Sequence, residues 1–241
     1  LFLRISYVNT LNVHNRSAER RPQALVMKIL CMVLFLPLTA QGTYVTTSTD
    51  EDNGTLGGGT GISLREAVKY SAAGSTVTFA PALSGKTLYL SEGALVIEKS
   101  LTIDASSLLA GLTLSADRTA NGKTSDDTYV ILLTGGSLTL DSLIFTGANC
   151  GESSGCITIQ PSVTFTLTLD RCTLTRNAGY HASALFCFRG PFQSADSITI
   201  RNSTISGNSV VKGVAVIEVA YVNLVLENST ISHNEAAAIS S

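Results

Sequence analysis

Four charged residues occupy one position of a recurring phrase: Asp141, Asp170, Arg201 and Glu227. If successive phrases stack as parallel strands, about 4.8 Å apart, the carboxylates of Asp141 and Asp170 come to about 5 Å, near the spacing of acid pairs in retaining glycosidases. Acid and nucleophile is the chemistry that pair could perform. A plainer reading competes and is favoured here. The column runs on into Arg201 and Glu227, as an exposed ion-pair ladder would, and such ladders add little stability. A second set of acids, Asp117, Asp126, Asp127 and Asp196, lies on the two polar interruptions at 115–128 and 189–196. An enzyme would need several of these to converge with a basic group in one groove.

Other residue types with chemical potential lead less far. Asp50, Asp52 and Asn53-Gly54 begin like a calcium loop, but Gly61 stands where that loop needs a bidentate acid, so a solvated turn is expected. Of five cysteines, Cys31 lies in an apolar N-terminal run and four follow: Cys150, Cys156, Cys172 and Cys187. Cys150 and Cys156 flank a Gly-Ser-Ser-Gly loop and are the expected pair if any disulfide forms. Cys172 matches Ser203 and Ser229 in the phrase and reads as a small buried filler. His14 lies far upstream, and His181 and His233 fall in different repeats, so no zinc set assembles. No catalytic, cofactor-binding or metal-ligating residue is therefore expected.

The phrase itself sets the architecture. LTLDSLIFTGA, LTLDRCTLTRN, ITIRNSTISGN and LVLENSTISHN start at Leu138, Leu167, Ile198 and Leu224, at intervals of 29, 31 and 26 residues. Recurrence in this range marks a stacked repeat. Ile198 and Ile200 share a strand face, yet Ile205 lies an odd step beyond, so the chain must turn near Arg201 and Asn202. The step from Ile205 to Asn208 is odd again, which marks a second corner. A third short strand follows in CITI, SALFCF and VAVIEV, from Cys156, Ser183 and Val214. Each repeat reads strand, corner, strand, corner, strand. Asn177, Asn208 and Asn234 recur at the second corner and would stack as an amide ladder. The fold expected is an all-β, right-handed, single-stranded parallel β-helix. An antiparallel sandwich would instead show regular tight Asn-Gly or Asp-Gly hairpins, which the corners lack.

Bulk properties agree with such a solenoid. Charged residues are 14% of the 241, below the ~25% of an ordinary soluble domain, and hydroxyl residues are plentiful. A net charge of −2 leaves no basic footprint for nucleic acid. Residues 1–26 have no coherent period and read as upstream extension. Residues 27–42, from Met27-Lys28 through ILCMVLFLPL, read as a secretory signal peptide with small residues near Ala40 for cleavage. A twin-arginine signal on Arg20-Arg21 and a buried apolar segment are the rivals. The run is short for a bilayer and Pro37 interrupts it, so no transmembrane span is expected.

Residues 43–83 form an expected cap module: a strand at Tyr44–Thr47, a loop, and a helix over 63–73. Ser63 and Glu66 make a capping box, Leu64, Ala67, Val68 and Ser71 share a face, and Gly74 is a natural stop. That face can cover the open first coil of the solenoid, residues 75–241. The stretch YVTTSTDEDNGTLGGGTGISLREAVKYSAAGSTVTFAPAL resembles the CSLREA module of bacterial secreted proteins. Its match runs from Tyr44 to about Leu83, and the N-S-T-[IV]-S-x-N coils extend it to Asn234. The resemblance implies a right-handed β-helix of the polymorphic outer membrane protein-like kind, secreted or displayed on the outer membrane. Two cysteines of that family stand here as Leu56 and Ile62, as loss of one disulfide in favour of an apolar contact would leave them.

Together these readings give a secreted or cell-surface rod with a structural or adhesive role, taking a glycan or surface-protein ligand. The alternative is a β-helical carbohydrate-active enzyme, a lyase or a glycoside hydrolase. The chain carries none of the aspartate-rich or histidine-containing motifs of pectinase-type hydrolases, nor the Arg-Lys set of the lyases. The last phrase, ending in EAAAISS, implies an open coil end at which end-to-end self-association is expected.

Overall fold

The computed structural model describes residues 42–120, 128–150, 155–160, 164–188, 195–210, 215–235 and 237–240. The expected upstream extension and signal peptide lie outside them. The described chain is a parallel β-helix. Its first face stacks Thr43–Val45, Ser75–Phe79, Leu101–Asp104, Gly136–Asp141, Phe165–Asp170, Ser197–Arg201 and Asn223–Glu227. The second face runs from Thr87–Tyr89 through Leu112–Ser115, Leu143–Thr146, Thr173–Thr175 and Thr204–Ser206 to Thr230–Ser232. Leu95–Ile97, Ile131–Leu133, Ile157–Ile159, Leu185–Phe188, Ala215–Ala220 and Ala237–Ser240 make the third.

Register follows from the alternation of side chains. Leu101, Leu138, Leu167, Ile198 and Leu224 pair in one column, and Ile103, Leu140, Leu169, Ile200 and Leu226 in the next. Slipping any strand by one residue would drive its apolar set outward, so the columns fix one another. From Leu101 to Ile200 these positions are at most 3% exposed. The second and third faces contribute Leu114, Phe145, Leu174 and Ile205, and Ile97, Leu133, Ile159 and Cys187.

The two odd steps have one physical cause. Ser142, Arg171, Asn202 and Asn228 follow the first-face strands with φ between 47° and 58°, a left-handed conformation that resets the phase. Gly147, Arg176, Gly207 and His233 repeat the device before the second corner, with φ between 54° and 72°. Left-handed backbone costs a side-chain-bearing residue about 1–2 kcal/mol, so the folded stack must supply compensation at Arg171 and Arg176.

The asparagines do so at the second corner. Asn177 Oδ1 accepts from Ala148 N at 3.1 Å, and its Nδ2 donates to Phe145 O at 3.2 Å and Asn208 Oδ1 at 3.0 Å. Asn208 Nδ2 donates to Leu174 O and Asn234 Oδ1, each at 3.0 Å. Backbone N–H groups of Asn177 and Asn208 are taken by the next amide oxygen, at 3.0 and 2.9 Å. Asn177 and Asn208 are buried.

The cap helix α1 spans Leu64–Tyr70, three residues shorter than the expected 63–73 at its C-terminal end. Ser63 is its N-cap and closes the capping box with Glu66. The chain leaves the helix at Ser71, whose backbone is extended and whose hydroxyl bonds to Thr43 Oγ1 at 2.5 Å. Gly74 carries the positive φ of 80° one step later, where its N–H reaches Ser100 O at 2.7 Å. Leu64, Ala67 and Val68 are buried, and α1 packs against the end strands Thr43–Val45 and Leu95–Ile97. Among the described residues no helix is long and apolar enough to cross a membrane.

Candidate functional site

The charged column assembles in register: Asp104, Asp141, Asp170, Arg201 and Glu227 are successive partners. Two of its acids, Asp141 and Asp170, are engaged by basic side chains. Arg171, the left-handed corner residue, lies between the two candidate carboxylates and pairs with both Asp141 and, at 3.3 Å, Asp170 Oδ2. Arg201 reaches the same Oδ2 at 3.1 Å, and Asn202 Nδ2 donates to Oδ1 at 2.9 Å. The Asn202 bond, with Arg201 and Arg171 beside it, holds the Asp170 carboxyl below the usual carboxylate range. Ser142 Oγ donates to Asp141 Oδ1 at 2.7 Å. A retaining pair needs one carboxyl kept protonated near neutral pH, and Asp170, held down by the Asn202 amide and two guanidiniums, is not that group.

The loop acids do not gather. Asp196 turns inward, fully buried, with Oδ1 accepting from Phe165 N at 3.1 Å. Asp117 sits at the opposite side of the third face, its N–H on Ser115 Oγ at 3.2 Å, and Asp126 and Asp127 lie outside the described residues. Acids of the cap loop are structural. Asp50 accepts both arms of Arg65 at 2.8 Å, Glu51 takes the Thr60 N–H and hydroxyl at 2.7 Å, and Asp52 pairs with Lys69 and Tyr70. The turn is thus held by side-chain bonds. Glu66, buried inside it, accepts from Asn53 N, Gly57 N and Ser63 N at 3.1–3.2 Å. Ile62 packs against the core while Leu56 is exposed.

Cysteine and histidine remain scattered. Cys172 is buried, its Sγ 3.3 Å from Leu140 O, and burial pushes its thiol up to about 12. The side chain of Cys150 lies outside the described residues, and with it the expected Cys150–Cys156 pair. Among the described residues no three His, Cys, Asp or Glu side chains group as a metal site.

What distinguishes the surface is one face. Outward residues of the first face run Thr102, Thr139, Thr168, Thr199 and Val225, and those of the second Thr113, Ile144, Thr173, Thr204 and Thr230, so both are mostly threonine. On the third face the same column reads Val96, Leu132, Thr158, Phe186, Glu218 and Ser240, of which Thr158 is buried. At its C-terminal half, Tyr180 and His181 leave the second corner and bring two rings beside Phe186. Tyr180 meets His181 edge-on, centroids 5.4 Å apart, and His181 lies 6.0 Å from Phe186. Glu218, on the next coil, places Oε2 4.0 Å from His181 Nδ1.

No family model matches this chain, and no curated protein matches it.

Two features of the site escaped sequence reading. Arg171 was legible as a corner residue, but nothing in the phrase says that its side chain folds back across two coils. The ring cluster had a compositional signal: aromatics are 6% of the chain, yet Tyr180, Phe186 and Phe188 fall within nine residues.

Proposed function

We propose that this chain is the rod of a secreted or cell-surface protein of the CSLREA and polymorphic outer membrane protein-like kind, with a structural or adhesive role. The observation that carries the reading is the internal neutralisation of Asp141 and Asp170 by Arg171 and Arg201. With those acids committed to holding the corner, the described surface offers two hydroxyl-coated faces and one face of mixed apolar and aromatic character. A rigid stack of this type presents side chains at a fixed repeat, which suits binding rather than turnover. The apolar run at Ile29–Leu38 supports export, since its length and flanks are those of a signal peptide.

The test pairs two assays on the full chain. Retention is measured on immobilised glycans and matrix proteins, and product release is measured from the same glycans. Retention without turnover is expected. Turnover abolished by Asp141→Asn or Asp170→Asn would overturn the reading in favour of a glycosidase.

A further inference from the structure

Glu218 and His181 make a contact on the third face that the stack leaves unfinished. Glu218 stands on the strand Ala215–Ala220, opposite Phe186 of the coil before. Its Oε2 is sealed from water and has no hydrogen-bond partner. A polar atom out of solvent is ordinarily bonded, and an exception asks for a reason. The basic neighbour of this oxygen is His181, whose Nδ1 stands at 4.0 Å, too far for a hydrogen bond. The imidazole is lodged between two rings: Tyr180 meets it edge-on at 63°, and Phe186 lies tilted at 38°. Its side chain is 46% exposed, so it can take a proton from water although the oxygen it faces cannot. Among the described residues the titratable groups facing the imidazole are Tyr180, on its own segment, and Glu218, from the next coil; Phe186 offers a ring alone. Asp170, by contrast, is answered by groups that keep their donors at every pH, Asn202 and Arg201.

We infer that His181 and Glu218 form a proton-operated latch, which ties the segment after the second corner to the third face. Protonation gives the imidazole a positive charge and a donor on both nitrogens. A shift of about 1 Å then brings Nδ1–H to Oε2 as a charge-assisted bond. The neutral ring brings no charge and carries one proton on either nitrogen, so the oxygen stays as it stands. What the latch holds follows from the chain. Three residues after His181, the Ala184 N–H donates to Val216 O at 3.0 Å, and Leu185 then opens the third-face strand opposite Ile217. Glu218 follows Ile217 directly, so the latch closes beside that junction and joins two coils there. Its sign follows from which forms pair. Carboxylate and imidazolium coexist between about pH 4.5 and 6.5. The tie is present in that window, is lost above it as the imidazole gives up its proton, and is lost below it as the carboxyl gains one. This goes beyond the adhesive reading and does not depend on it, since it concerns the state of one face and no ligand.

The experiment is hydrogen exchange on the full chain at pH 5.5 and 7.5, corrected for the intrinsic pH dependence of exchange and read at Ala184 and Leu185. Protection there should be about two- to fivefold higher at pH 5.5, the range a partly exposed ion pair supplies. Glu218→Gln keeps the shape and removes the charge, and it should bring the ratio to one; His181→Gln should do the same. Leu140, on the first face, should be equally protected at both pH values in all three proteins. Proton spectra give a second and direct reading. At pH 5.5 a His181 Nδ1–H signal in slow exchange with water should appear in the parent protein and be missing from Glu218→Gln. Equal protection of Ala184 and Leu185 at the two pH values in the parent protein would overturn the latch. So would a ratio that survives in Glu218→Gln, or a parent spectrum without the Nδ1–H signal.

Discussion

Removing one rung of the asparagine ladder should cost far more than an ordinary polar truncation. Asn208 joins two neighbouring coils: its Oδ1 receives the Asn177 N–H and Nδ2, each at 3.0 Å, and its Nδ2 donates to Leu174 O, Ser206 O and Asn234 Oδ1. Asn208→Ala deletes all five bonds and strands the Asn177 N–H in a corner that is 1% exposed. An unsatisfied buried donor costs about 1–3 kcal/mol, and each ordinary bond lost adds about 0.5–1.5 kcal/mol. Neighbouring carbonyls keep other partners, and water enters the vacated space, so the expected total is about 2–4 kcal/mol. Thr199→Ala, on the outer surface of the first face, should cost under about 0.5 kcal/mol. Asn177→Asp is the sharper probe. It keeps the size but turns an amide donor into an acceptor aimed at Phe145 O and Asn208 Oδ1, so it should destabilise more than Asn177→Ala. Urea unfolding followed by circular dichroism reads each value from the shift in midpoint at constant slope. Equal midpoints for Asn208→Ala and Thr199→Ala, or an aspartate variant as stable as the alanine one, would refute the ladder as a source of stability.

Four further outcomes are expected. Arg171→Gly relieves a φ of 54° while losing ion pairs made by a half-exposed side chain, so it should change stability by under about 1 kcal/mol; Arg171→Val loses the same pairs and adds the extra strain of a β-branched side chain at positive φ, so it should lose about 1–2 kcal/mol in the same melts. Cys172, with its thiol at about 12, should resist iodoacetamide at pH 8 until urea unfolds the coil, and labelling of the native protein at a free-thiol rate would contradict its burial. The Asp52 carboxyl is held at about 2 by Lys69, Tyr70 and the Gly54 N–H, and Thr60 lowers Glu51 too. Both folded values lie below the unfolded ones, so their stabilisation is present above about pH 4 and is lost as pH falls toward about 2; hydrogen-exchange protection of the 46–62 loop, corrected for the intrinsic pH dependence of exchange, should fall across that window and stay constant between pH 5 and 7. Leu226 is 39% exposed where its register partner Ile200 is fully buried, so hydrogen-exchange protection at Leu224–Ile231 should fall below that at Leu138–Phe145, and equal protection would show that end to be covered, as end-to-end association of two chains would cover it.

The repeat made most of the fold legible. Odd steps between Ile200, Ile205 and Asn208 announced two corners, and the structure supplies a left-handed residue at each. The asparagine ladder, the buried Cys172 and the apolar face of α1 all follow from periodicity, because position in a stacked repeat determines side-chain direction. What periodicity does not carry is the behaviour of long side chains at irregular places. Arg171 and Asn202 occupy the same corner position, yet Arg171 spans Asp141 and Asp170 while Asn202 caps Asp170 alone. Glu66 was legible as half of a capping box, but its bonds to Asn53 and Gly57 depend on how a Gly-rich loop closes over it. The end of α1 was misjudged for a similar reason. Ser71 fits the helical face by spacing, but its contact with Thr43, 28 residues away, draws it out of the helix.

The same contrast bears on where function can reside. A position inside the repeat is constrained by the coils above and below it, so a side chain there is chosen for stacking: threonine outward, leucine or isoleucine inward, asparagine at the corner. Asp141 and Asp170 of the acid column obey that logic, since each is answered by a guanidinium from a neighbouring coil. Tyr180 and His181 lie just after the corner ladder, before the third-face strand resumes at Leu185, where the coils differ in length and register imposes no partner. Phe186 and Glu218 are in register, and they replace each other in a column that elsewhere holds Val96, Leu132, Thr158 and Ser240. Stacking like on like would serve the rod better. A ring followed by a carboxylate breaks that pattern, and the Glu218 oxygen left without a hydrogen-bond partner, sealed from water, is a local cost to the stack.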